Sequence, residues 1–229
     1  MSAESFATLA SQGYNRVPVA RTVLADLDTP LSVYLKLADA PFTYLFESVQ
    51  GGERWGRYSI IGLPARTVLT VRGHDVVVTT DGNEVERTTA SDPLAFVEAF
   101  QQRYRVAPMP GLPKFNGGLV GFFGYDCVRY VERKLAACVK PDPIGAPDIQ
   151  LMLSEDVVVF DNLKGELFLV THVDPADAGA EAAAQARLDA LTVRLRASLD
   201  TKAMHDSVKA RVTEADFVSS YGQDAFKRG

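Results

Sequence analysis

Apolar positions along this chain fall into short alternating runs more often than they repeat at helical spacing. Residues 67–71, 76–80 and 85–88 are rich in β-branched side chains and are separated by Gly73 and by Asp81-Gly82. An Asp-Gly pair between such runs predicts a tight hairpin, because glycine accepts the positive φ that the turn requires. Residues 44–46 and 59–61 are two further apolar runs, joined by a loop that turns at Gly51-Gly52. Residues 156–160 (DVVVF) and 166–173 (ELFLVTHV), with Asp161 to Gly165 between them, predict another hairpin, and their unbroken apolar character predicts burial on both faces.

Helical spacing appears between these runs. Thr29 offers an N-cap and Pro30 a first helical residue, followed by Leu31, Tyr34, Leu35 and Ala38 on one face. Asp92-Pro93 repeats the device ahead of Leu94, Phe96, Val97, Phe100, Gln101 and Tyr104. Asp174-Pro175 opens a helix predicted over 175–199, with Leu188, Leu191 and Leu195 as its stripe and alanines that favour helix intrinsically. Residues 125–135 continue as a helix with Val128, Val131 and Leu135 on one side. Residues 202–211 read as a linker, and Thr213 with Asp216 has the capping-box pattern ahead of Phe217 and Tyr221. Strand, helix and strand do not alternate regularly. The predicted class is therefore α+β, a largely antiparallel β-sheet or sandwich with helices at 30–39, 92–104 and 175–199 on the outside, rather than a doubly wound parallel sheet.

The composition is that of a globular protein: 229 residues, 47% of them hydrophobic, with a formal charge of -5. An acidic balance without a clustered basic face predicts no nucleic-acid or anionic-membrane partner. The first twelve residues lack a basic region ahead of an apolar stretch, so no secretory signal is predicted, and no run approaches the roughly 18 apolar residues of a membrane span. Cys127 and Cys138 make neither a disulfide framework nor a metal-ligand spacing. The expected location is cytoplasmic and the expected partners are small molecules. His172 stands without a second ligand at metal spacing and reads as structural. Residues 114–126 (KFNGGLVGFFGYD) fit no phosphate loop; their glycines predict a central strand that admits another backbone closely.

Candidate chemistry concentrates in residues 44–62, YLFESVQGGERWGRYSIIG. Glu47 and Ser48 leave the first strand, and Arg54, Trp55 and Arg57 precede the second. Paired charges and a hydroxyl beside apolar walls suit a small polar ligand; the same residues also suit a surface hairpin with a solvated ion pair. This string resembles the signature LLES…GGERWGRYS-x-IG of the large subunit, component I, of anthranilate synthase. NGGLVGFFGYD resembles the GG-x-VG-x-x-GYD motif shared by that enzyme and its chorismate-using relatives. The PDP at 141–143, the VVFD at 158–161 and the F-x-x-x-YGQDAF ending fit the same pattern in order, so the resemblance covers residues 14–226.

The resemblance implies the amino-terminal lobe of the component I fold over 14–173, after a disordered 1–13. It implies that 174–229 is a helical connector and the truncated start of the chorismate-binding domain. It places Glu47 and Ser48 in the pocket for L-tryptophan, the feedback inhibitor, with Arg57 or Arg54 as the cation for the ligand carboxylate. The whole family enzyme is a lyase that uses Mg²⁺. With ammonia from a glutamine amidotransferase subunit, component II, it turns chorismate into anthranilate and pyruvate in tryptophan biosynthesis. Its metal glutamates and acid/base groups lie in the chorismate-binding half, and part of its tryptophan pocket does too. This chain is expected to stop before that half. It is accordingly assigned no catalytic residue and no metal site, and alone it is expected to hold no Mg²⁺ and to be inactive. Two other readings stay open: a non-catalytic amino-acid-binding module, and the amino-terminal part of aminodeoxychorismate synthase component I, against which ERWGRYS argues.

Overall fold

Why the chain folds as it does is visible first at its turns and caps. The computed structural model describes residues 5–25, 27–47, 56–137, 142–199, 213, 216–219 and 221–228. In chain order the elements are α1 (Phe6–Ser11), β1 (Val17–Leu24), α2 (Pro30–Leu37), β2 (Tyr44–Phe46), β3 (Tyr58–Gly62), β4 (Thr67–Arg72), β5 (Asp75–Thr80), β6 (Asn83–Thr89) and α3 (Pro93–Gln102). Then come β7 (Gly118–Phe123), the single turn α4 (Val128–Val131), β8 (Ile149–Ser154), β9 (Val157–Asp161), β10 (Glu166–Val173), α5 (Ala180–Leu195) and α6 (Gln223–Arg228). Asp81 and Gly82 both take positive φ, 52° and 77°, which is the turn the Asp-Gly pair predicts between β5 and β6. Thr29 and Ser32 cap each other reciprocally at the start of α2, and the Asp92 carboxylate accepts from the Leu94 and Ala95 N–H groups at the start of α3.

The strands form two five-stranded sheets in the orders β1-β10-β9-β3-β2 and β6-β5-β4-β8-β7, every pair antiparallel. Each sheet has its own helix-covered core. Helices α2 and α5 bury Val33, Leu37, Leu188, Leu191 and Leu195 against Ile61, Val158, Phe160, Leu167 and Leu169. Phe100 of α3 packs with Leu69, Val71, Val76, Val78, Ile149 and Leu151. All five residues of β9 are buried, which is the two-sided burial that its unbroken apolar run predicts.

The sheets are joined by strands that pass from one to the other. β3 continues into β4 and β8 into β9, while β3 pairs with β9 and β4 with β8. At the corner, residues 63–66 span the same gap as residues 154–156, with one residue more. The Leu63 N–H donates to the Asp156 carbonyl at 3.0 Å, and the Tyr44 and Ser154 hydroxyls share a buried hydrogen bond of 2.9 Å that ties β2 to β8.

Several expectations are corrected. Residues 1–13 are not disordered throughout, because Ser5 caps α1 by accepting from the Thr8 N–H. α2 buries Ala38 of the expected face and packs Tyr34 against the core, but it also turns Val33 and Leu37 inward and leaves Leu31 exposed, so the buried face is rotated from the expected one. Residues 125–135 form short 3-10 and α turns with Val131 and Leu135 exposed, not one amphipathic helix. Strand β8 forms at 149–154, where no element was expected. β7 is an edge strand, not a central one, although it does receive a close backbone neighbour.

Helix α5 starts at 180 rather than 175, since Asp174 caps a turn by accepting from the Ala176 N–H and Gly179 sits at φ 80° ahead of the helix. It packs on the first sheet, so residues 174–197 belong to the same compact unit as everything before them, not to a connector. Residues 198–229 form a second unit. There Asp216 accepts from the Thr213 N–H at 2.7 Å, as the capping box predicts, and regular helix begins only at Gln223. No helix among the described residues is long and apolar enough to cross a membrane.

Candidate functional site

Strand pairing decides what meets at the end of the first sheet. β2 and β3 pair with Phe46 opposite Ile60, and β3 and β9 pair with Tyr58 opposite Asp161. Glu47, which follows β2, and Arg57, which precedes β3, therefore emerge at one end of the sheet, with the β9–β10 turn beside them. Glu47 is exposed. Ser48 and Arg54 lie outside the described residues, as does Trp55.

Arg57 is held from the β9 side. Its Nη2 donates to Asp161 Oδ2 at 2.7 Å, and its Nε lies 3.1 Å from each carboxylate oxygen. The Asp161 side chain is 1% exposed and the Arg57 side chain 33%, so the carboxylate is at the sheet and the guanidinium at its rim. Backbone N–H groups of Leu163 and Lys164 also donate to Asp161 Oδ1. Burial pushes the Asp161 carboxyl up, but the bonds from Arg57 and the two backbone N–H groups outweigh it, leaving the group below the ordinary carboxylate range. The same bond raises the Arg57 guanidinium further above its ordinary value.

Asn162 fixes the backbone at the same place. Its N–H donates to the Arg57 carbonyl at 2.8 Å, and its Nδ2 donates to the Gly56 carbonyl and to Ser59 Oγ, each at 3.2 Å. The Arg57 guanidinium also lies 4.9 Å from the centre of the Tyr58 ring. The VVFD run was legible as a strand, but its closing Asp161 gave no local sign of a role, because its partner is 104 residues away.

A second polar cluster occupies the corner between the sheets, and no motif points to it. Arg16 donates through Nε to Glu155 at 2.8 Å, and Arg187 donates to Asp156 at 2.8 and 2.7 Å. Thr171 donates to the other Asp156 oxygen at 2.6 Å. His172 Nδ1 lies 2.7 Å from the Glu155 carbonyl, which can only accept, so Nδ1 carries the proton. Burial pushes this imidazole below its ordinary value. That is the structural histidine the sequence predicts. An open cleft of about 870 Å³ runs beside the cluster, lined among others by Arg16, Arg66, Arg103, Tyr104 and Asp174. Its arginines are paired: Arg16 with Glu155, Arg66 with Asp81 and Arg103 with Glu86.

Among the described residues no group of three or more His, Cys, Asp or Glu side chains is arranged to hold a metal ion.

The chain belongs to the chorismate-binding enzyme family, which matches it over residues 43–225. Within that class it is similar to component 1 proteins of anthranilate synthase. It is 55% identical over 227 residues to that of Pseudomonas aeruginosa, covering 99% of this chain and 46% of the relative. It is 45% identical over 230 residues to that of Neisseria meningitidis, with 99% and 46% covered, and 32% identical over 195 residues to that of Acetivibrio thermocellus, with 85% and 38% covered. The chain thus spans less than half the length of the curated relatives it matches. Its fold is similar to the crystal structure of anthranilate synthase component I from Streptococcus pneumoniae, with a TM-score of 0.51 at 23% identity over 78% of this chain and 37% of that one.

Proposed function

We propose that this sequence is the amino-terminal, tryptophan-sensing part of an anthranilate synthase component 1. The observation that carries the reading is the 55% identity to the P. aeruginosa component 1 across 99% of the chain. The whole protein would convert chorismate and ammonia to anthranilate and pyruvate, with the ammonia supplied from glutamine by a glutaminase partner. The sensing role is supported by the end of the β2–β3 hairpin, where a carboxylate and a guanidinium emerge from adjacent strands. An amino acid carries an ammonium and a carboxylate, and needs an acceptor for one and donors for the other. Glu47 takes the ammonium, and Ser48 hydrogen-bonds beside it. Bound tryptophan lowers activity by binding one conformation of the enzyme better than another.

The test is calorimetry of L-tryptophan against the protein that carries this sequence at its full natural length, parent and Glu47→Ala. Removing one partner of a hydrogen-bonded charge pair costs on the order of 2–5 kcal/mol, which is about 30-fold or more in Kd. A Glu47→Ala protein that binds tryptophan as tightly as its parent overturns the sensing role.

A further inference from the structure

Arg57 has a partner that nothing about its own motif announces. The Asp161 carboxylate is buried, and it is fixed from behind by the Leu163 and Lys164 N–H groups of its own turn. It meets the guanidinium through Nε and Nη2, a planar two-nitrogen contact that allows only one orientation of the fork. Asn162 of the same turn fixes the backbone of Gly56 and Arg57. Side chain and main chain of Arg57 are thus set by one turn, and Nη1 lies outside the contact with Asp161. On the next strand over, Glu47 emerges at the same end of the sheet. A long, flexible arginine held in this way loses little further freedom when an anion arrives.

We propose that Asp161 is the positioning residue of the effector site: it presents Arg57 to the carboxylate of the amino-acid effector and so makes the site selective for ligands that carry one. The inference rests on the tryptophan-sensing reading above and goes beyond it, since it chooses Arg57 as the carboxylate donor and assigns a role to a side chain that touches no ligand. Asp161 acts only through Arg57. Replacing it by asparagine keeps the shape of the side chain but removes the charge and one acceptor oxygen, leaving the guanidinium without its fixed partner.

The experiment compares L-tryptophan with L-tryptophanamide, which keeps the indole and the ammonium but has no carboxylate. Kd for both is measured by calorimetry on the full-length natural protein and on its Asp161→Asn, Asp161→Glu and Glu47→Ala variants. In the parent, L-tryptophan is expected to bind about tenfold more tightly than the amide, or better. In Asp161→Asn that ratio is expected to fall close to one, with the amide's own Kd nearly unchanged. A loss of folding would weaken both ligands alike and leave the ratio alone. Where Asp161→Asn does not fold, Asp161→Glu is read instead: it keeps the charge but displaces it by one methylene, and a reduced ratio is again expected. A ratio equal to the parent's in the folded variant overturns the proposal. The two readings fail separately. Parental tryptophan binding in Glu47→Ala removes the sensing role itself, whereas its loss there, with carboxylate selectivity intact in the Asp161 variants, removes only the role of Asp161.

Discussion

At Gly121 a Cβ would lie 1.9 Å from the Gln150 carbonyl oxygen and 2.9 Å from the Leu151 Cα. Those atoms are backbone of the paired strand β8 and cannot swing away, so Gly121→Ala must push β7 off its neighbour. Overpacking of this kind costs about 1–3 kcal/mol, and urea denaturation should show the loss; an unchanged midpoint would mean that β7 sits more loosely than its pairing shows. His172 makes a different prediction. Its neutral ring donates to the Glu155 carbonyl, faces Glu155, Asp156 and Arg16, and has a folded-state pKa below the ordinary value near 6.5. Between the two values the unfolded chain binds more protons. Stability therefore rises with pH across that window and is lost as pH falls below about 6.5. His172→Asn keeps a donor towards the carbonyl but does not titrate. Its denaturation midpoint should depend less on pH between 5 and 7.5 than the parent's; an equal dependence would place the slope elsewhere.

Elements were legible where their signal is local. The caps at Thr29 and Asp92 and the hairpin turn at Asp81-Gly82 depend on neighbours within three residues, and all three formed as the sequence predicts. Thr29→Ala removes one half of the reciprocal cap and should cost about 1 kcal/mol, read as a drop in Tm; no drop would show that Ser32 caps alone. β8 was legible in principle, since Ile149, Leu151 and Leu153 alternate with Gln150, Met152 and Ser154, but it is short and no turn signal of the Asp-Gly kind marks either end. The edge position of β7 had no local signal. Its glycines announce a close backbone, and whether a second strand covers the other side depends on pairing chosen by distant residues. The candidate site divides in the same way. Glu47 and Arg57 could be picked out from one contiguous stretch, whereas Asp161 and Asn162 come into it only through the pairing of β3 with β9.

Among the described residues of 5–197, the two cores do not share a helix, yet a single ribbon runs through both. β3–β4 and β8–β9 are two long strands paired with each other on both sides of the corner, and the pairing changes sheet without being interrupted by more than the four residues 63–66. The Tyr44–Ser154 bond and the Arg16–Glu155 pair close the same corner from either side. Separating the sheets would break this ribbon and expose the corner's buried hydroxyls, so the two should open together and not as separate units. Leu191 tests this, because it is fully buried in the first core and absent from the second. Leu191→Ala removes apolar contacts at a site that costs about 2–5 kcal/mol. Hydrogen exchange then reads the result at Leu167 and Leu169 in the first sheet and at Val71 and Val76 in the second. If the ribbon makes one cooperative unit, all four amides lose protection by the same factor. If Val71 and Val76 keep the parent's exchange rates while Leu167 and Leu169 speed up, the sheets open independently and the corner is only a connection.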